Sequence, residues 1–227
     1  MAIIHPSPLF QEHRLFQDFA RTLIRLPQPG EGPLDYLLPE DRWQETCARI
    51  TDQELWFMGL SQATGVYFFP SREWVPRLVR YLQRLGVARL LEAGAGRGYL
   101  SAALGPLAEA AGMEFLALDR RDGEFQAGLP VSPWVRTGDV FTVIREFQPQ
   151  AVVYAWPPPG QSLAPLFEVP SLGHLLLMGE AHGGAAGAQE DWERLPHKYS
   201  SLLRRFSRGR TGPEKHRVTI FSGENKR

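Results

Sequence analysis

Apolar positions along the chain change period near residue 86, and the change separates two kinds of structure. Before it the spacing is helical: Leu15, Phe16, Phe19, Leu23 and Ile24 recur every three to four residues, an amphipathic stripe that Pro27-Gln28-Pro29-Gly30 ends. A second helical stretch follows Pro39 with Trp43, Cys47 and Ile50. A third opens at Thr51, with Glu54 three residues on as a capping box and Leu55, Trp56, Met58 and Leu60 behind it. Pro70-Ser71 starts a fourth, with Ser71 as N-cap, Trp74, Val75, Leu78, Val79, Leu82 and Leu85 as buried face, and Gly86 as its end. Beyond Gly86 the pattern becomes short apolar runs at 88–91, 115–118, 151–155 and 174–178, each bounded by Gly, Pro or Asp. Runs of this length without strict alternation suit strands buried on both faces of a parallel sheet. Residues 202–207 and 218–221 flank the turn Gly209-Arg210-Thr211-Gly212-Pro213, which predicts an antiparallel hairpin as the last two strands.

The elements add up to an α/β fold: a three-layer sandwich on a mostly parallel seven-stranded sheet ending in an antiparallel hairpin, plus a helical N-terminal cap. The cap is expected over residues 1–65 and the sheet-bearing domain over 66–227. Composition agrees, since 227 residues with 43% apolar side chains can bury a full core, and zero net charge excludes a chain held open by self-repulsion. Met1-Ala2-Ile3-Ile4-His5-Pro6 has no basic start, so no secretory signal is expected, and no run reaches the roughly 20 apolar residues of a membrane span. Cys47 is the single cysteine, so a disulfide or thiolate metal framework is not expected, and the cytoplasm is the default compartment. Charge is uneven: five arginines face nine acids in residues 1–60, whereas 194–217 hold eight basic residues against Glu214 alone. Such a segment can meet an anionic partner, or the acidic front and basic tail can face each other.

The strongest chemical signal is Glu92-Ala93-Gly94-Ala95-Gly96-Arg97-Gly98-Tyr99, a buried strand running into glycines at every second position and then a helix to Ala111. Glycines there let the backbone turn sharply and approach a ligand. Dinucleotide folds space them G-x-G-x-x-G, but here Tyr99 stands where that pattern needs glycine, and Glu92 would repel a pyrophosphate. An acid beside the turn suits a cationic ligand instead.

The pattern E-x-G-x-G-x-G resembles motif I of the class I S-adenosylmethionine-dependent methyltransferases. Three further segments fall in that family's order: Phe115-Leu116-Ala117-Leu118-Asp119, Thr137-Gly138-Asp139-Val140 and Tyr154-Ala155-Trp156-Pro157-Pro158-Pro159. More narrowly, 67–192 is similar to an uncharacterised methyltransferase-like group through Tyr67-Phe68-Phe69-Pro70-Ser71, E-x-G-A-G-x-G-Y at 92–99, the W-P-P stretch, and Gly179-Glu180-Ala181-His182-Gly183-Gly184. The resemblance implies S-adenosylmethionine as cofactor, held by Tyr67, Glu92, Ala93, Gly94, Ala95, Gly96, Gly98, Tyr99, Asp119, Arg120, Asp139, Val140 and Trp156. Asp119 would meet the ribose hydroxyls, Asp139 the adenine amino group, and Trp156 the adenosine or the cation. No metal is implied.

Amino-group methyltransferases of this architecture carry Asn or Asp, two prolines and an aromatic after the fourth strand. Here Trp156 takes the first place and Pro159 the last, which favours an oxygen or carboxylate acceptor over a planar amine. Glu180 and His182, after the fifth strand, are the candidates for substrate contact and general base, histidine being able to take a proton near neutral pH. A loop-fixing role is the alternative for this pair, and 183–187 is a candidate flap. The acceptor is expected to be a small molecule or a peptide side chain. A nucleic-acid acceptor held by Arg194, Lys198, Arg204, Arg205, Arg208 and Arg210 is less favoured, and a non-catalytic binding module remains open.

Overall fold

The protein is described by a computed structural model over residues 8–121, 130 and 132–223, with side chains from residue 14 onward. Met1 to Pro6 and the whole question of a leader lie outside the described residues. The helical front comprises α1 (Pro8–Leu23), α2 (Glu40–Ala48) and α3 (Gln53–Thr64). Next come β1 (Phe68–Pro70), α4 (Trp74–Arg84), β2 (Arg89–Ala93), α5 (Ser101–Ala110), β3 (Glu114–Asp119), β4 (Val135–Thr137), α6 (Val140–Phe147) and β5 (Ala151–Ala155). A 3-10 turn (Ala164–Glu168) leads to β6 (His174–Glu180), α7 (Gln189–Arg194), β7 (His197–Tyr199), α8 (Ser201–Arg205), β8 (Ser207–Gly209), α9 (Gly212–Lys215) and β9 (His216–Ser222).

Seven strands form one sheet in the order β4-β3-β2-β5-β6-β9-β7. β2 pairs in parallel with both β3 and β5, and β9 alone runs antiparallel to its neighbours β6 and β7. Both faces are covered, as the continuous apolar runs require. Leu90, Val153, Leu176 and Met178 join a core with α1 to α5, while Leu91, Val152, Leu175 and Leu177 join a second core under α6, the 3-10 turn and α7. The alternation of partners along each strand is the pleat itself. Ala20, Ile24, Trp43 and Phe57 of the helical front belong to the first core, so the front packs on the sheet's α4/α5 side. Among the described residues no helix is long and apolar enough to cross a membrane.

Local chemistry moved several boundaries. Asp52, not Thr51, caps α3 by accepting the Leu55 N–H at 3.0 Å, and Ile50 falls beyond the end of α2. Ser71 caps nothing with its hydroxyl: Glu73 occupies the N-cap of α4, and its carboxylate accepts the backbone N–H of Glu40 instead. The terminal hairpin exists with a different first arm, β7, paired His197 to Phe221 and Tyr199 to Thr219. The segment expected as that arm coils into α8 because the Ser200 hydroxyl accepts the Leu203 N–H at 3.2 Å. Strand β8, after it, leaves the main sheet to pair with β1, Phe68 opposite Gly209.

The acidic front and the basic tail do meet. Arg208 and Glu40 form a bidentate pair, 2.8 Å for Nη1 to Oε2, with both side chains nearly buried, and Lys215 reaches Glu54 at 2.7 Å. These contacts pin β8 and α9 onto the helical front.

Candidate functional site

The chain runs outward from β2 through β3 and β4, then returns to β5 on the other side of β2. Open parallel sheets bind ligands in the crevice at such a reversal, beyond the carboxyl ends of the strands. A cavity of about 830 Å³ lies there.

Its first wall is the turn after β2. Gly94, Gly96 and Gly98 all have left-handed φ, +61°, +55° and +83°, but do different work. A Cβ on Gly94 would lie 2.5 Å from Tyr154 Cε2, and one on Gly98 2.6 Å from Ser132 Cβ, so these two admit packing neighbours. A Cβ on Gly96 would meet nothing within 4 Å. Gly96 is therefore where the backbone stands bare to the cavity.

Behind the turn sits Glu92, 2% exposed, whose Oε2 has no hydrogen-bond partner. Burial pushes this carboxyl up to about 8, opposed by the nearby Ser101 hydroxyl and helped by the charge of Asp119. Asp119 at the end of β3 holds the turn and its own loop, its Oδ2 accepting the Gly96 N–H at 2.9 Å and its Oδ1 that of Arg121 at 2.7 Å. Asp139 caps α6 by accepting the N–H groups of Phe141 and Thr142, with its Oδ2 3.8 Å from Arg120 Nη1. Each carboxylate keeps lone pairs beyond those bonds.

The second wall comes from Tyr67, Trp156, Pro158, Pro159, Arg210 and Thr211. Trp156 has a φ of +60°, an uncommon state for a bulky residue of the kind that clusters at functional sites. Gly209 makes room for it: a Cβ there would lie 2.3 Å from Trp156 Cζ3. With Cζ3 and Cη2 against Gly209, the edge carrying Nε1 is turned the other way, and Nε1 has no partner. Tyr67 meets Trp156 edge-on at 6.5 Å and carries the Arg210 guanidinium 4.4 Å above its ring. The Arg210 N–H donates to the Tyr67 carbonyl at 3.0 Å, which fixes the loop after β8 against the segment before β1.

Of the residues expected to hold a cofactor, Tyr67, Glu92, Gly94, Ala95, Gly96, Tyr99, Asp119, Arg120, Asp139, Val140 and Trp156 line the cavity. Ala93 is core and Gly98 faces Ser132, so both shape the turn from behind. Glu180 and His182 do not line the cavity. The Glu180 carboxylate accepts the Ala185 N–H at 2.9 Å, and the His182 Nε2 lies 3.1 Å from the Tyr199 hydroxyl at the β7 edge. The loop 183–187 is tied down as well, Gly160 donating to the Gly187 carbonyl at 2.7 Å.

The basic segment does not form one strip. Arg208 is buried with Glu40, Lys198 lies over Tyr81, and Arg210 lines the main cavity. Arg204, Arg205 and Arg217, with Arg208 at its base, line a separate groove of about 440 Å³. Sequence reasoning missed Arg210, Thr211, Met58 and Gln161 as cavity residues; only the turn glycines 209 and 212 hinted that the first two stand at a special place.

No family model matches the sequence, and no curated protein is significantly similar to it. Among solved structures the chain is similar to the SAH-bound methyltransferase PaMTH1 of Podospora anserina, at 10% identity and a TM-score of 0.43, over 99% of this chain and 100% of that one. It is similar to human N-acetylserotonin methyltransferase in complex with SAM at 10% identity and a TM-score of 0.39, over 96% and 68% of the two chains. The citrinin polyketide synthase CMeT domain gives 13% and 0.42, over 97% and 67%. Likeness of this order concerns fold and carries no activity across.

Proposed function

We propose that the cavity binds S-adenosylmethionine and that the protein is a methyltransferase acting on an oxygen or carboxylate of a small molecule or peptide. The observation that carries the reading is the pairing of Glu92 with Gly96: a buried carboxylate oxygen without a partner, behind a stretch of bare backbone open to the cavity. A buried polar atom left unsatisfied costs roughly 1–3 kcal/mol, which an ammonium donor recovers. The cofactor's amino-acid end offers that ammonium, whereas a dinucleotide's pyrophosphate has no donor for that oxygen and would add negative charge beside Asp119. Asp119 would receive ribose hydroxyls on its free lone pairs, and Asp139 Oδ2 the adenine amino group, with Leu118 and Val140 as apolar flanks.

When bound, S-adenosylmethionine supplies an electrophilic methyl group, and transfer forms a bond from acceptor oxygen to carbon as the carbon–sulfur bond breaks. The chain's part is to align the two reactants and exclude water. Trp156, wedged by Gly209, and Tyr67, edge-on to it, would supply an aromatic wall for the reactants. Among the described residues the lining contains no histidine, and Glu92, Asp119 and Asp139 belong to the first wall. An acceptor that arrives already deprotonated, as a carboxylate does at neutral pH, suits such a site.

The test is calorimetric titration with S-adenosylmethionine, S-adenosylhomocysteine and NAD in two buffers of different ionisation enthalpy. Micromolar binding of the first two is expected, with proton release below about pH 8 as Glu92 ionises against the ammonium, and no binding of NAD. Binding of NAD alone, or of none of the three, would overturn the reading.

A further inference from the structure

The second wall holds a positive charge without an internal counter-charge. Arg210 is half-buried, and among the described residues its guanidinium makes no hydrogen bond and no ion pair; it rests on the face of Tyr67. Next to it Thr211 has a buried Oγ1 with no partner. The acids of the cavity, Glu92, Asp119 and Asp139, sit on the first wall, and Asp119 and Asp139 are bonded to backbone N–H groups there. A guanidinium held over an aromatic ring with no polar partner of its own keeps its N–H fork for an outside acceptor, and such a fork can take a carboxylate bidentately. At about 830 Å³ the cavity is near the upper end of the roughly 300–1,000 Å³ span of ligand pockets, with space for a second molecule beside a cofactor.

We infer that the acceptor is a planar small molecule bearing a carboxylate, gripped by Arg210 and Thr211 with its ring against Tyr67 and Trp156. The inference rests on the methyltransferase reading and adds the acceptor's charge and shape to it. It assigns Arg210 to substrate specificity rather than to a nucleic-acid surface or to the cofactor.

The experiment uses the full chain saturated with S-adenosylhomocysteine and two probe pairs of equal shape and different charge: 4-hydroxybenzoate with 4-hydroxybenzamide, and 4-hydroxycinnamate with 4-hydroxycinnamamide. A charge-assisted bidentate contact predicts that at least one carboxylate binds about 10-fold or more tighter than its amide. In Arg210→Gln the preference should collapse to within about two-fold, while Arg205→Gln, in the separate groove, retains it. S-adenosylhomocysteine affinity in Arg210→Gln should fall by less than the acid preference does, the change reaching the cofactor only through the contact of Arg210 with Tyr67. Equal binding of acid and amide, no binding of any probe to the loaded protein, or a preference that survives Arg210→Gln would overturn the inference. So would a fall in S-adenosylhomocysteine affinity in Arg210→Gln as large as the fall in acid preference, since the arginine would then serve the cofactor. Failure of S-adenosylhomocysteine to bind the parent protein sinks the methyltransferase reading instead, so the two failures are distinct.

Discussion

The two walls of the cavity are built on opposite plans. On the first, Asp119 and Asp139 have oxygens already engaged by backbone N–H groups of their own loops, at 2.9 and 2.7 Å and at 2.9 and 3.3 Å. On the second, Arg210, Thr211 Oγ1 and Trp156 Nε1 have no polar side-chain partners among the described residues. A wall whose groups hold one another is preorganised for one ligand and insensitive to what lies beyond it. A wall of unpartnered groups is defined by whatever molecule completes it. Glu92 is the exception on the first wall, its Oε2 being buried without a hydrogen-bond partner.

Gly96→Val would break the first wall most severely. Its Cβ meets open space, so the fold should survive with about 1–3 kcal/mol of left-handed strain, while S-adenosylmethionine affinity should fall by about 100-fold or more on calorimetry. Gly94→Val is the contrast, since its Cβ strikes the Tyr154 ring at 2.5 Å and should cost stability as well as binding, read as a lowered Tm. Next in size is Glu40→Gln, which strands Arg208 in a buried site and should cost about 3–5 kcal/mol in denaturant unfolding, loosening β8 and with it the second wall.

Glu92→Gln sharpens the comparison through pH. The folded-state carboxyl is raised to about 8 from an ordinary value of 4.5, so its favourable protonated form is fully present below 4.5 and lost as pH rises through 8. The ligand-free variant should therefore match the parent at low pH and become the more stable protein as pH rises from about 4.5 to 8, followed by thermal melting. It should at the same time bind S-adenosylmethionine about 10-fold or more weakly and release no proton on binding. His216 works with the opposite sign. Burial, with Arg204, Arg208 and Arg217 nearby, pushes the imidazole down to about 3, so its contribution is present above about 6.5 and lost as pH falls. A steep loss of stability below about pH 6 should flatten in His216→Phe. The smallest effect is expected from His182→Ala: turnover and cofactor affinity within about two-fold of the parent, because the ring faces Tyr199 and not the cavity.

Legibility in the sequence divides along physical lines. Strand β5 was read residue for residue and β2, β3 and β6 to within two residues, because a strand buried on both faces must be continuously apolar. The N-caps failed where two hydrogen-bonding residues stood side by side, Thr51 and Asp52, since pattern alone does not say which side chain reaches the third N–H. The last hairpin is present, but its first arm differs from the expected 202–207, because Ser200 opens a helix there and β7 takes the place beside β9.

The sequence by itself determined the sheet, the glycine turn and the carboxylates beside it, because each is a local matter of period, φ and spacing within a few residues. Only the tertiary structure decided which glycine faces the cavity, that Glu180 and His182 stay outside its lining, and that Arg210 and Thr211 enter it. The last of these depends on segments more than a hundred residues apart meeting across β1 and β8. The backbone pairing of Phe68 with Gly209 that brings them together carries no side-chain signature along the chain.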